Sequence, residues 1–161
     1  TVNTIREFNP DTTLETLIPD FQGNTEQLDR IIMVHPEIVS HNIETVRRLT
    51  KEVRVQAKYD RSLEVLRYLK EKGMKTKSGI MCGMGESEDE VLDTLHDLKN
   101  SGVDIVTLGQ YMQPTPRHLK VVNYVHPDVF AMYKREGLKL GFGYIESGPL
   151  VRSSYHAEKH L

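Results

Sequence analysis

Asn42 and Glu44 are the first residues whose types and spacing suggest chemistry. They stand two apart after the β-branched run Ile38-Val39-Ser40. In extended backbone both side chains leave on one side, where an amide and a carboxylate could bracket a ribose diol. Read as a helix start, the same pair is a cap followed by a first-turn acid, the more common use. Gly79-Ile80-Met81-Cys82-Gly83-Met84-Gly85-Glu86 runs from a strand-like segment into a glycine-rich turn. Glycines let backbone approach a flat ligand such as adenine, and they equally serve a tight β-to-α turn. No third glycine follows Gly83 and Gly85 at dinucleotide spacing, which argues against a Rossmann fingerprint. Arg61 follows Asp60 at a helix start, where a cation is poorly placed on the helix dipole. An anionic ligand such as a carboxylate would relieve that placement, and so would a salt bridge to a nearby acid.

Other reactive residue types lead to exclusions. The seven histidines include no His-Glu-x-x-His motif and no helical pair with a partnering acid, so a zinc site is not expected. His41, His118 and His126 read as capping or surface groups. The single cysteine, Cys82, lies in an apolar strand and reads as a small buried hydrophobe. One thiol rules out an internal disulfide and cannot alone hold a thiolate-ligated iron–sulfur cluster. No Gly-x-Ser-x-Gly elbow supports a serine hydrolase.

Elements must carry these residues. Apolar or β-branched runs at Leu14 to Pro19, Ile38 to Ser40, Thr76 to Cys82, Val103 to Leu108 and Leu140 to Ile145 predict five strands. Asn24 with Gln27, Asp60, Ser87 with Glu90, and Pro127 at N1 predict the helix starts between them; Gly73, Gly102 and Gly137 predict the stops. Ile43 to Leu49 predicts a further helix, followed by an extended piece over Val53 to Ala57. Alternation of this kind implies parallel pairing, with ligands gathering beyond the C-terminal strand ends. The polar and glycine clusters fall at those ends. The expected fold is α/β, a parallel (β/α) partial TIM-type barrel over residues 1–146, with a tail over 147–161. Five strands are too few to close an eight-stranded barrel.

Composition narrows the partners. Lys+Arg of 21 against Asp+Glu of 23 leaves a net charge of -2, and no basic block supports nucleic-acid binding. No apolar run is long enough to span a bilayer. The opening Thr1-Val2-Asn3-Thr4 has no signal-peptide character and no initiator methionine, so a processed or trimmed cytoplasmic chain is expected.

Taken together, the motifs resemble the lipoyl synthase family of radical S-adenosylmethionine enzymes. They are Leu17-Ile18-Pro19-Asp20-Phe21-Gln22-Gly23, His41-Asn42-Ile43-Glu44-Thr45-Val46, Tyr59-Asp60-Arg61-Ser62-Leu63, Lys77-Ser78-Gly79-Ile80-Met81, Gly109-Gln110-Tyr111-Met112-Gln113-Pro114 and Gly148-Pro149-Leu150-Val151-Arg152-Ser153-Ser154-Tyr155. They occur in the family's order and cover nearly the whole chain, as its C-terminal half.

The resemblance implies S-adenosylmethionine and two [4Fe-4S] clusters, one to cleave the S-adenosylmethionine and one to give up two sulfurs to C6 and C8 of a protein-bound octanoyl group. It implies ribose contacts from Asn42 and Glu44, and a methionyl carboxylate contact from Arg61. Ile80, Met81, Gln110 and Tyr111 would flank the adenine. It implies an iron-ligating serine, Ser154 with Ser153 as the alternative. The partners implied are an octanoylated lipoyl-carrier domain and an electron donor such as ferredoxin or flavodoxin. Both cysteine triplets of the family are missing here, so the segment alone is expected to be inactive. The competing readings are a sulfur inserter of the biotin synthase type and a cluster-free module that binds a nucleotide or an acyl-carrier domain.

Overall fold

The structure, a computed structural model, describes residues 1–155. Five strands, β1 (Glu15–Leu17), β2 (Ile38–Ser40), β3 (Thr76–Cys82), β4 (Ile105–Gln110) and β5 (Tyr144–Gly148), form one sheet in sequential order. Every neighbouring pair is parallel. Among the described residues α1 (Val2–Phe8) precedes the sheet, and five helices fill the connections: α2 (Thr25–Met33), α3 (Thr50–Val53), α4 (Tyr59–Glu71), α5 (Glu88–Asn100) and α6 (Pro127–Leu140). No helix among the described residues is long and apolar enough to cross a membrane.

The pleat sends alternate side chains to opposite faces, and here the two faces differ in chemistry. Ile80, Cys82, Val106, Leu108 and Ile145 join Leu63 and Leu66 of α4, Leu95 and Leu98 of α5 and Phe130 of α6 in one core. Val39 packs with Leu28, Val65 and Leu69 in a smaller one. On the opposite face, Lys77 is 1% exposed and its Nζ lies 2.8 Å from Glu15 Oε2, while Ser40 Oγ donates to Glu15 Oε1 at 2.6 Å. This polar cluster ties β1, β2 and β3 together beneath the strand tips. Removing one partner strands a buried charge, so Lys77→Met should destabilise the fold by about 2–3 kcal/mol, less than a fully buried pair because Glu15 keeps some solvent. Urea unfolding checks this; a change under about 0.5 kcal/mol would contradict it.

Several starts and stops follow local signals. Ser87 and Glu90 form a reciprocal capping box at α5, Pro127 opens α6 behind an accepting His126, and Gly141 closes α6 in the left-handed region. Asn24 caps α2 by accepting from Glu26 N. Asp60 lies within the first turn of α4, whose N-cap is Lys58. α6 continues past Gly137 to Leu140, which pushes β5 to Tyr144–Gly148, across the expected start of the tail. The Ile43 to Leu49 expectation is corrected: only Arg47–Leu49 turns, as a 3-10 helix, before α3. Residues 43 and 44 instead follow the sheet, with Ile43 N donating to Ser78 Oγ and Glu44 bridging Ile80. No strand forms over Val53 to Ala57.

Candidate functional site

The tips of β2, β3 and β4 surround an open-sided cavity of about 210 Å³. That is smaller than an ordinary small-molecule pocket, so it makes one wall of a site. Asn42, Glu44 and Thr107 give it a polar side; Ile80, Met81 and Met112 give it an apolar one. The turn carrying Val151, Arg152 and Ser153 forms its back.

Glu44 reaches the cavity through unusual backbone. Its φ of 69° lies in the left-handed region, which costs a side-chain-bearing residue about 1 kcal/mol or more. Two bonds to β3 hold it there, Glu44 N donating to Gly79 O at 2.9 Å and Met81 N to Glu44 O at 2.8 Å. Burial raises the pKa of the carboxyl, opposed by a hydrogen bond from Asn42 and by the charge of Arg54. Gly79 makes room for that arrangement: a Cβ there would lie 2.9 Å from Asn42 Oδ1 and 3.1 Å from Thr107 Oγ1. The close pairing of Asn42 with Glu44 therefore depends on a missing side chain one strand away.

A raised carboxyl pKa favours the folded state at low pH, and that advantage is lost as pH rises through the folded value. Glu44→Gln does not titrate, so its stability relative to the wild type should increase from acid to neutral pH. In the same variant, affinity for a ribose ligand should fall roughly tenfold. Denaturation at two pH values together with ligand titration tests both; a stability difference independent of pH would contradict the assignment.

The other expected site residues lie in different places. Gln110 reaches the cavity, yet its side chain fastens the 111–126 loop: Nε2 donates to Tyr111 O and Asn123 O at 3.1 Å each, and Val125 N donates to Oε1 at 2.9 Å. Tyr111 is buried, and its hydroxyl donates to Leu119 O at 2.9 Å, fastening the same loop. Arg61 lines a separate cleft and lies 3.3 Å from Asp20 Oδ2. Ser153 lines the cavity; Ser154, next on the turn, is exposed. His156 and the residues after it lie outside the described residues.

His41 is a correction to the capping-or-surface expectation. It is 1% exposed, with Nδ1 3.0 Å from Ile18 O and Nε2 2.9 Å from Ser62 Oγ. A carbonyl only accepts, so Nδ1 carries a proton, and burial lowers the imidazole pKa. His118 and His126 do serve loop and cap roles. Glu86 accepts from Gly83 N and Met84 N, which makes the glycine-rich turn a closed structural unit. Thr107 went unnoticed in the sequence, and Gly109 and Val151, though inside quoted motifs, were assigned no part in the cavity they line. Gly109 carried a usable signal, a glycine inside a β-branched run, which marks close backbone approach.

A profile of the radical SAM superfamily matches residues 2–98. The chain belongs to the radical SAM superfamily. It is 66% identical over 162 residues to the mitochondrial lipoyl synthase of Nematostella vectensis, covering 100% of this chain and 56% of that protein. It is 64% identical to the lipoyl synthase of Flavobacterium johnsoniae, again over 100% of this chain and 56% of the relative. The chain thus spans about half the length of the curated relatives it matches. The crystal structure of methylornithine synthase superposes with a TM-score of 0.68 at 14% identity, covering 94% of this chain and 52% of that one, a likeness of fold. Together with the five parallel strands, it supports a partial TIM-type barrel.

Superfamily membership implies S-adenosylmethionine and an iron–sulfur cluster. The cavity fits the first. Its polar side offers a half-buried carboxylate and an amide to sugar hydroxyls, and its apolar side offers a surface to a base. The described residues do not fit the second. They contain no group of three or more His, Cys, Asp or Glu able to hold a metal ion. Cys82 faces the helix layer fully buried, where its thiol pKa is pushed up.

Proposed function

We propose that the complete polypeptide is a lipoyl synthase, inserting two sulfurs at C6 and C8 of an octanoyl group on a lipoyl-carrier domain. One juxtaposition carries the reading: the Asn42–Glu44 pair and Arg152 and Ser153 of the Arg152-Ser153-Ser154-Tyr155 turn meet at one cavity, though 110 positions separate Asn42 from Arg152. Identity of 64–66% to relatives named lipoyl synthase supports it.

In this reading Asn42 and Glu44 accept from and donate to the ribose hydroxyls of S-adenosylmethionine. Ile80 and Met81 meet its adenine, with Gln110 and Tyr111 holding the loop that completes that wall. Arg61 meets its methionyl carboxylate by charge-assisted hydrogen bonds. Ser154 supplies an oxygen ligand to one iron of a sulfur-donating cluster. When bound, S-adenosylmethionine supplies the means of removing hydrogen from an unactivated carbon; the residues named here orient it and exclude water. Two [4Fe-4S] clusters, a reductant such as ferredoxin or flavodoxin, and a cytoplasmic setting complete the proposal.

Incubating the complete, iron-loaded polypeptide with S-adenosylmethionine, a reductant and an octanoyl-lysyl peptide tests it by mass spectrometry. Formation of the lipoyl peptide is the expected result. An unmodified peptide, with S-adenosylmethionine consumed, would contradict the substrate assignment.

A further inference from the structure

Residues 111–126 join β4 to α6 with neither helix nor strand. Loops of that length inside a compact fold are uncommon and usually functional. This one is held from beneath. Val122 N and Asn123 N donate to Gly83 O at 2.8 and 3.3 Å, and Tyr111 N donates to Cys82 O at 2.7 Å. Val121 and Val125 pack on the main core. Gly83 permits the close approach: its φ is 104°, and a Cβ there would lie 2.5 Å from Asn123 O. Gln110 and Tyr111 clamp the loop further, at Asn123 O, Val125 N and Leu119 O. The loop is a shaped surface.

Its anchoring residues are interleaved with apolar ones that point away from the fold. Val122 is 64% exposed and Tyr124 72%, and Met112 and Leu119 are exposed as well. Four large apolar side chains presented by one anchored loop mark an interaction site in a way that single scattered ones do not. The charged residues among them are Arg117 and Lys120, both exposed and without an ion pair among the described residues. No Asp or Glu occurs from Tyr111 to Pro127, and Asp128, the next acid, faces His126 at 3.4 Å. An apolar and cationic surface with no compensating acid complements an acidic partner. The loop also starts at the strand-tip cavity, which Gln110 and Met112 line. A protein that delivers an acyl chain must sit at that rim; one that delivers only electrons need not.

We propose that the 111–126 loop is the docking surface for an acidic protein domain that bears the acyl chain. Val122 and Tyr124 meet its apolar ground, and Arg117 and Lys120 meet its carboxylates. The proposal rests on the function proposed above and adds to it the surface by which the substrate protein is recognised.

Steady-state turnover by the complete, iron-loaded polypeptide tests this with two substrates, an acidic octanoylated carrier domain and an octanoyl-lysyl peptide without acidic residues, both under a chemical reductant. For the wild type, KM should be lower for the domain and should rise with salt. The double variant Arg117→Glu, Lys120→Glu should raise KM for the domain at least tenfold, while kcat and the peptide's KM stay within about threefold. Tyr124→Ser, which removes apolar contact alone, should raise the domain's KM roughly five- to tenfold in the same pattern. These side chains are exposed, so the variants should melt as the wild type does. Equal losses on both substrates, or an unchanged KM for the domain, overturn the proposal and leave the proposed function standing. A loss seen only when a protein reductant replaces the chemical one also overturns it, and makes the loop the electron donor's seat. A wild type that modifies neither substrate overturns both.

Discussion

Gly109→Ala is expected to lower sulfur insertion by the complete polypeptide about a hundredfold while leaving it folded. A Cβ at this position would lie 2.2 Å from Val151 O and 3.2 Å from Val151 C, both backbone atoms. Backbone cannot rotate aside as a side-chain tip can, so the turn bearing Arg152 and Ser153 must move away from β4. Gly109 does not have positive φ, so alanine suits the strand itself. The stability cost should stay near that of overpacking, about 1–3 kcal/mol. The cost in rate should be larger, because displacing a positioning element by about 1 Å can lose two orders of magnitude. Gly143→Ala is the control, since its Cβ meets only Asp104 O at 3.5 Å, an ordinary contact. Rates and thermal melts of the two variants separate the effects. Equal rates would show that the tail does not need its seat against β4.

Under the proposed function, Ser154→Ala should remove iron from the sulfur-donating cluster and lower lipoyl formation by the complete polypeptide more than about a hundredfold, beyond the range for an outer-shell partner, because Ser154 is there a direct ligand. Ser153→Ala should behave differently. Ser153 lines the cavity and is half-buried, whereas Ser154 is exposed on the same turn, closed by Tyr155 N donating to Arg152 O at 2.9 Å. Consecutive residues on such a turn face apart, so one serves the cavity and the other is free to reach a group outside it. Ser153→Ala should keep its iron and lose affinity for S-adenosylmethionine several-fold. Iron content and binding measured on both variants decide it. Iron lost from Ser153→Ala and kept in Ser154→Ala would exchange the two roles.

Strands and helices were legible where local signals act alone. β3 occupies Thr76–Cys82 as its apolar run implies, and Ser87, Glu90 and Pro127 set helix starts by backbone capping. The stretch from Ile43 to Ala57 was not legible. Ile43, Val46 and Leu49 have helical spacing, yet Ser78 Oγ and the β3 backbone claim the amides of Ile43 and Glu44. Partners 35 positions away outweighed local propensity there. Asn42, Glu44, Ile80 and Met81, singled out through the resemblance, gather at one cavity because strand-end position is a topological property. The separation of Arg61 from that cavity was not, since it depends on the shape of the Asp20–Gly23 turn.

Hydrogen–deuterium exchange of the complete, iron-loaded polypeptide, with and without S-adenosylmethionine, measures most directly whether the strand-tip cavity holds that molecule. Ligand should slow exchange in peptides spanning residues 42–44, 79–82, 109–112 and 151–153, with α5 and α6 unchanged. Tight binding that leaves all four segments exchanging at their free rates would place the ligand elsewhere and contradict the account.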